Sequence, residues 1–190
     1  MVLVAAYGGQ RFGELTALTQ ADLQLDDPNL PAVTVRKTMS RVKGKWLVGT
    51  PKTDAGMRTV TLPRFLHPLL EDHLERYVRG GPDALVFATA SGRPLARSNW
   101  TATFHRATHK IGLDDIHFHD LRHAAATAAV QTGATLKDTM ARLGHASPRA
   151  ALIYQHTAQD RDHAIAEALE AAAAKAQKTQ ITPKTPGHEG

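Results

Sequence analysis

The sequence predicts an α+β fold, mainly helical, with a small three-stranded antiparallel sheet packed beside a helical bundle. Two patterns predict it. Between Ala32 and Leu62 three short runs alternate apolar and polar residues, the period of a half-buried strand. From Phe65 onward the apolar residues recur at three- and four-residue spacings between clusters of breakers, the pattern of amphipathic helices. At 190 residues there is room for one domain with a real core and a tail, while two full domains would be cramped.

Composition narrows the function less than the pattern does. A formal net charge of +5 is compatible with a polyanionic partner without establishing one. The absence of cysteine excludes disulfides, thiolate metal sites and a cysteine nucleophile, and it fits a reducing cytoplasm. No run approaches the roughly 20 consecutive apolar residues that span a bilayer. Residues Met1 to Ala6 lack the basic flank of a signal peptide, so the expected protein is cytoplasmic, with no membrane partner.

In chain order, Val2 to Ala6 is apolar, Gly8-Gly9 interrupts it, and Arg11 to Leu18 reads as a helix with Leu15 and Leu18 inward. An apolar start without a cap leads to the expectation that helices or a whole domain belonging ahead of Met1 are absent. Arg11 and Glu14 stand three residues apart, either as a surface ion pair or as an arginine turned inward toward a ligand. Asp26 to Pro31 is a turn. Ala32 to Val35, Lys45 to Val48 and Arg58 to Leu62 are the three strands, with Thr50 to Met57 as a hairpin connection whose Asp54 and Gly56 provide the turn chemistry. Lys37, Arg41, Lys43, Lys45, Lys52 and Arg58 crowd this sheet, which they either solvate or lay against a phosphate backbone.

Pro63 opens a helix carrying Phe65, Leu69, Leu70, Leu74 and Tyr77, and Gly80-Gly81 ends it. After a short apolar run at Ala84 to Phe87, Ser98 caps a helix that reaches Ile111 and stops at Gly112. His105 and His109 have a spacing that can bind zinc, but no acidic third ligand is evident and no metal site is expected. His119 begins a helix of small residues closed by Gly133. Thr135 and Asp138 form a capping box for a helix ending at Leu143, after which Gly144 takes the left-handed conformation and aims His145. Ser147-Pro148 starts a helix bearing Tyr154. An alanine-rich helix follows from Asp160 to Lys178, anchored by Ile165 and Leu169, and residues 179–190 read as a disordered tail.

The chemistry concentrates late in the chain. His119 and Arg122, three residues apart, share one face at a helix N-terminus whose positive pole favours an anion. That corner suits a phosphate, and Tyr154, in a segment that also carries His145, supplies a hydroxyl that phosphoryl transfer can use.

Taken in order, Arg11 in Gly9-Gln10-Arg11-Phe12-Gly13-Glu14-Leu15, Lys52 in Pro51-Lys52-Thr53, His119-Asp120-Leu121-Arg122-His123, Leu143-Gly144-His145 and Tyr154 resemble the tyrosine recombinase (phage integrase) family. The resemblance runs from about Gly9 to Thr157. It implies a tyrosine-recombinase-like catalytic domain over residues 1–178, with residues 160–178 as a C-terminal helix that docks on a neighbouring protomer. It also implies cleavage and rejoining of duplex DNA through a covalent 3′-phosphotyrosine, in integration and recombination by a phage or mobile element. The partners implied are duplex DNA and three further copies in a homo-tetramer on DNA, with a monomer or weak oligomer otherwise. The place implied is the bacterial nucleoid or the phage-infected cell. Two features depart from the family's pattern: a helical DNA-clamping domain ahead of the first arginine is not present, and Gly8-Gly9-Gln10 stands where Thr-Gly-Leu is more usual.

Each implied role has a physical reason. A phosphodiester repels nucleophiles, and the planar forks of Arg11 and Arg122 match its non-bridging oxygens. His119 and His145 can donate to the same oxygens, and His119 could also accept the tyrosine's proton. A tyrosine of pKa about 10 is only roughly 0.1% ionised at neutral pH, so Tyr154 needs activation by a neighbour or by the arginines' field. Lys52 can protonate the departing 5′ oxygen. Glu14, Asp120 and His123 are read as groups that orient the cationic side chains, and Lys37, Arg41, Lys43 and Arg97 as contacts to the DNA backbone. One phosphoester replaces another, so no cofactor, ATP or metal is required. The alternatives are a topoisomerase of type IB, which relaxes supercoils with a similar constellation, and an inactive DNA-binding fragment lacking its clamp domain.

Overall fold

The computed structural model of the chain describes residues 1–51 and 54–145. Its first helix, α1 (Val2–Gly8), is the apolar opening run, with Val4 and Ala5 buried, and it stops where Gly9 turns left-handed at φ 72°. A side chain at Gly9 would also collide with Leu143, since an added Cβ would lie 2.5 Å from Leu143 Cδ2. Glycine is required there on both counts.

The helix expected over Arg11 to Leu18 is cut to a single turn, α2 (Phe12–Leu15). Leu15 and Leu18 are nevertheless buried, at 0% and 2% exposure. A 3₁₀ turn at Gln20–Asp22 then leads into strand β1 (Leu23–Gln24), which the alternation did not mark because it is only two residues long. Strand β2 (Ala32–Val35) follows, then β3 (Thr38–Val42), β4 (Lys45–Gly49) and β5 (Arg58–Thr61).

A three-stranded antiparallel sheet is present, but its membership differs from expectation. Its order is β1-β2-β5, with Val33 opposite Val60 and Val35 opposite Arg58, while β4 pairs with β3 in a separate ribbon. Lys43 and Gly44 are the reason. Both have positive φ, 47° and 80°, giving the two-residue turn that closes a tight antiparallel pair. Residues 50–57 therefore do not join hairpin partners: they carry the chain from the ribbon back to the sheet, through a 3₁₀ turn at Asp54–Gly56.

Helix α3 (Leu66–Tyr77) covers the sheet with Leu66 and Leu70, whereas Phe65, Leu69 and Tyr77 face outward. Together with Val4, Leu15, Leu18, Val33, Leu62, Val86 and Phe87 they form the larger core cluster. Helix α4 (Arg97–His109) is followed by Gly112 at φ 72°. Helix α5 (Asp120–Gln131) and helix α6 (Leu136–Leu143) share a second, smaller cluster of Ala126, Val130 and Leu143. The Thr135–Asp138 capping box forms as the sequence predicts, and Gly144 ends α6 at φ 65°. No helix among the described residues is long and apolar enough to cross a membrane.

Candidate active site

The turn after Gly9 presents Arg11, whose backbone is extended at the start of α2. Glu14 holds it twice. The Arg11 backbone N–H donates to Glu14 Oε2 at 2.8 Å, and Arg11 Nη1 donates to Glu14 Oε1 at 2.9 Å. Glu14 is 3% exposed, and Arg58 donates to the same carboxylate through Nη2 at 2.9 Å. Burial works to raise the Glu14 pKa. The hydrogen bond and charge of Arg58, joined by those of Arg11, outweigh it and hold the carboxyl below its ordinary value. The pair is therefore not a solvated surface ion pair, although Arg11 itself remains half-exposed.

On the opposite wall, His119 is the N-cap residue of α5. It is placed by its neighbour Phe118, which is gripped edge-on by Phe12, Trp100 and Phe104 at centroid distances of 5.9, 5.7 and 5.5 Å. Arg122, one turn into α5, is 2% exposed and donates to the carbonyls of Gly9 and Leu143. It thus fastens α5 to the turn before Arg11 and to the end of α6, at the residue pair that precedes His145. Left-handed Gly144 lets the chain bend there, and the His145 backbone N–H closes on the Met140 carbonyl at 3.0 Å.

Electrostatics record how close these groups lie. Burial first, then the charges of His123, Arg122 and Arg11, lower the pKa of His119, with Asp120 opposing. Burial, then Arg122, Arg11 and Arg58, push His145 down to about 4. At neutral pH His145 is accordingly uncharged, one ring nitrogen donating and the other accepting. Its Nδ1 is buried without a partner among the described residues. Arg11, Arg122, His119 and His145, named from three separate stretches of sequence, lie close enough for the arginines' charges to act on both imidazoles. Lys52 and Tyr154 lie outside the described residues.

The other expected residues sort differently. Asp120 accepts from the His117 backbone N–H at 2.7 Å, and His123 packs edge-on against His119 at 4.9 Å. Lys37, Arg41 and Lys43 stand exposed on or beside the β3-β4 ribbon, with Arg41 lying 5.8 Å above Trp46. Arg97 lies 5.1 Å over the Phe12 ring and helps to wall a cavity of about 230 Å³ that Arg11 and His119 also line. His109 pairs with Asp114, and His105 packs edge-on against His117.

Three participants escaped the sequence reading. Gln10 is 1% exposed with both amide atoms unpartnered among the described residues, at the wall of that cavity. Trp100 brings to the same wall an indole N–H with no partner among the described residues. Arg58, grouped by sequence with the exposed sheet cations, has a side chain only 6% exposed. The sequence marked Gln10 only as a departure from the Leu usual at that position, and nothing local marks the roles of the other two.

The integrase of Mycobacterium phage L5 is 40% identical over 168 residues, covering 87% of this chain and 45% of that protein. The integrase of Mycobacterium phage D29 is 37% identical over 170 residues, covering 88% and 45%. The chain thus spans less than half the length of these relatives. In fold it is similar to the Tn1549 transposon integrase solved in complex with circular intermediate DNA, with a TM-score of 0.73 at 21% identity over 88% of this chain and 58% of that one. A family model described as the phage integrase family matches residues 1–161, a span that holds both arginines, both histidines and Tyr154, and the chain belongs to that family.

Proposed function

We propose that residues 1–178 are the catalytic domain of a site-specific DNA recombinase, which cleaves and rejoins duplex DNA through Tyr154. The observation that carries the proposal is the proximity of two arginines to two histidines whose pKa values burial and those arginines lower. Relatives named integrases, and fold neighbours solved on transposon or recombination-site DNA, support the same reading. In the proposed step the Tyr154 phenol passes its proton to a neighbouring base, for which His119 is the candidate, as its oxygen attacks phosphorus. The bond to the 5′ oxygen breaks, and a proton passes to that oxygen from Lys52. Arg11 and Arg122 neutralise the oxygens that gain charge, where a fixed, partly desolvated site is most effective. The partner is duplex DNA, and four copies assemble on it, with residues 160–178 linking neighbours.

A suicide-substrate trap tests the nucleophile. The chain should form a covalent adduct with nicked half-site DNA, and Tyr154→Phe should bind that DNA with unchanged affinity while forming none. An adduct with the Phe variant would assign the chemistry to another group.

A further inference from the structure

Arg58 opens β5, at none of the positions the resemblance marks, and its guanidinium is almost wholly spent on three other stretches of backbone and side chain. Nη2 and Nη1 donate to the two oxygens of Glu14 at 2.9 and 3.3 Å. Nη1 also donates to the Gly56 carbonyl at 3.1 Å, and Nε donates to the Arg142 carbonyl at 2.8 Å. Each of those segments leads to a group of the site. Glu14 holds Arg11, Gly56 closes the connection that began with Pro51-Lys52, and Arg142 precedes Leu143-Gly144-His145. Packing is close as well: a Cβ on Gly144 would lie 2.8 Å from Arg58 Nη1 and 2.9 Å from the Ala55 carbonyl.

We propose that Arg58 is a positioning residue, a joint that sets Arg11, the Gly56 turn and the His145 turn relative to one another for the DNA cleavage step. The proposal rests on the recombinase reading for its chemistry. Its geometry does not depend on that reading. Only a planar fork with five donors can serve a carboxylate and two carbonyls at once, and a lysine ammonium, though it keeps the charge, cannot. Displacement of a reacting group by about 1 Å costs on the order of 100-fold in rate, so loosening the joint should appear in chemistry before it appears in binding.

The experiment compares the 190-residue chain with Arg58→Lys, Arg58→Met and the double variant Glu14→Gln/Arg58→Met. Each is measured for rate of adduct formation on nicked half-site DNA, affinity for that DNA, amide hydrogen exchange without DNA, and the midpoint of urea unfolding. Arg58→Lys should bind DNA within about threefold of the parent while forming adduct on the order of 100-fold more slowly. In it the amides of Gly144 and His145 should exchange faster, while those of α3 keep their protection. The double variant, which removes the buried charge together with its partner, should regain the parent's unfolding midpoint without regaining the adduct rate. Arg58 is merely structural if α3 quickens equally, or if the double variant recovers rate along with stability. Native exchange at Gly144 and His145 in Arg58→Lys would also overturn the proposal. Should the parent chain itself form no adduct, the recombinase reading falls, and the exchange pattern still decides whether Arg58 is the joint.

Discussion

At the scale of single residues, Gly144 and His145 show how backbone and charge combine at the site. Gly144 sits at φ 65° with Arg58 and the Ala55 carbonyl within 3 Å of any Cβ. Gly144→Ala should therefore lose more than the roughly 1–2 kcal/mol that a left-handed L-residue costs, read as a fall in the urea midpoint. His145 makes stability depend on pH. Its folded pKa, about 4, lies below the ordinary 6.5, so the unfolded chain takes up a proton that the folded chain refuses. The contribution is complete above pH 6.5 and is lost as pH falls from 6.5 toward 4. His145→Gln should flatten that part of the profile in denaturant titrations, and parallel losses in the two chains would refute a neutral, half-buried imidazole. Gly144 and His145 were legible in the sequence because a left-handed cap has a local signature. Arg58 was not. Whether a cation is solvated or buried is decided by the distant carboxylate it meets, and Glu14 lies 44 positions away.

At the scale of elements, the sequence disclosed those whose periodicity is long enough to count. Strands β2, β4 and β5, helices α3 to α6 and the α6 capping box were all visible. The two-residue β1 and the partner of β4 were not, since strand pairing depends on turn geometry that Lys43 gives without the usual Asn or Asp before glycine. Pairing β4 with β3 produces a ribbon on which Leu47 and Val48 are more than half exposed and the cations Arg41, Lys43 and Lys45 project. Placed against DNA, that ribbon contributes charge neutralisation. Arg41→Ala and Lys43→Ala should each reduce the slope of log affinity against log salt by about 0.9, with little change in the relative preference among sequences. Unchanged slopes would move the phosphate contacts elsewhere. Thr135→Ala gives an independent check on α6: loss of the bonds to the Asp138 backbone and carboxylate should cost about 1 kcal/mol in unfolding experiments.

At the scale of the molecule, the candidate site lies where two apolar clusters meet, and arginines join hydrophobic contacts such as that of Leu121 in stitching the seam. The larger cluster joins α1, α2, the sheet and α3, and the smaller one joins α5 and α6. Across the boundary Arg122 reaches the Gly9 carbonyl, Arg58 reaches that of Arg142, and Arg142 reaches those of Tyr7 and Thr61 at 2.7 and 3.2 Å. Composition conceals this, because 23 lysines and arginines look like surface until the fold places them. A seam of directional bonds fixes orientation closely while adding little net stability, since each exchanges a bond to water for a bond to protein. Core and seam should then respond differently to damage. Leu66→Ala, at 1% exposure in the larger cluster, should cost about 2–5 kcal/mol and lower protection throughout the chain. Arg142→Ala leaves two carbonyls short of a donor and should cost less, about 1–3 kcal/mol. Its effect on amide exchange should concentrate in α6 and at His145. If Arg142→Ala instead loosened α3 and α6 alike, the seam would belong to the core, and site geometry could not be tuned apart from stability.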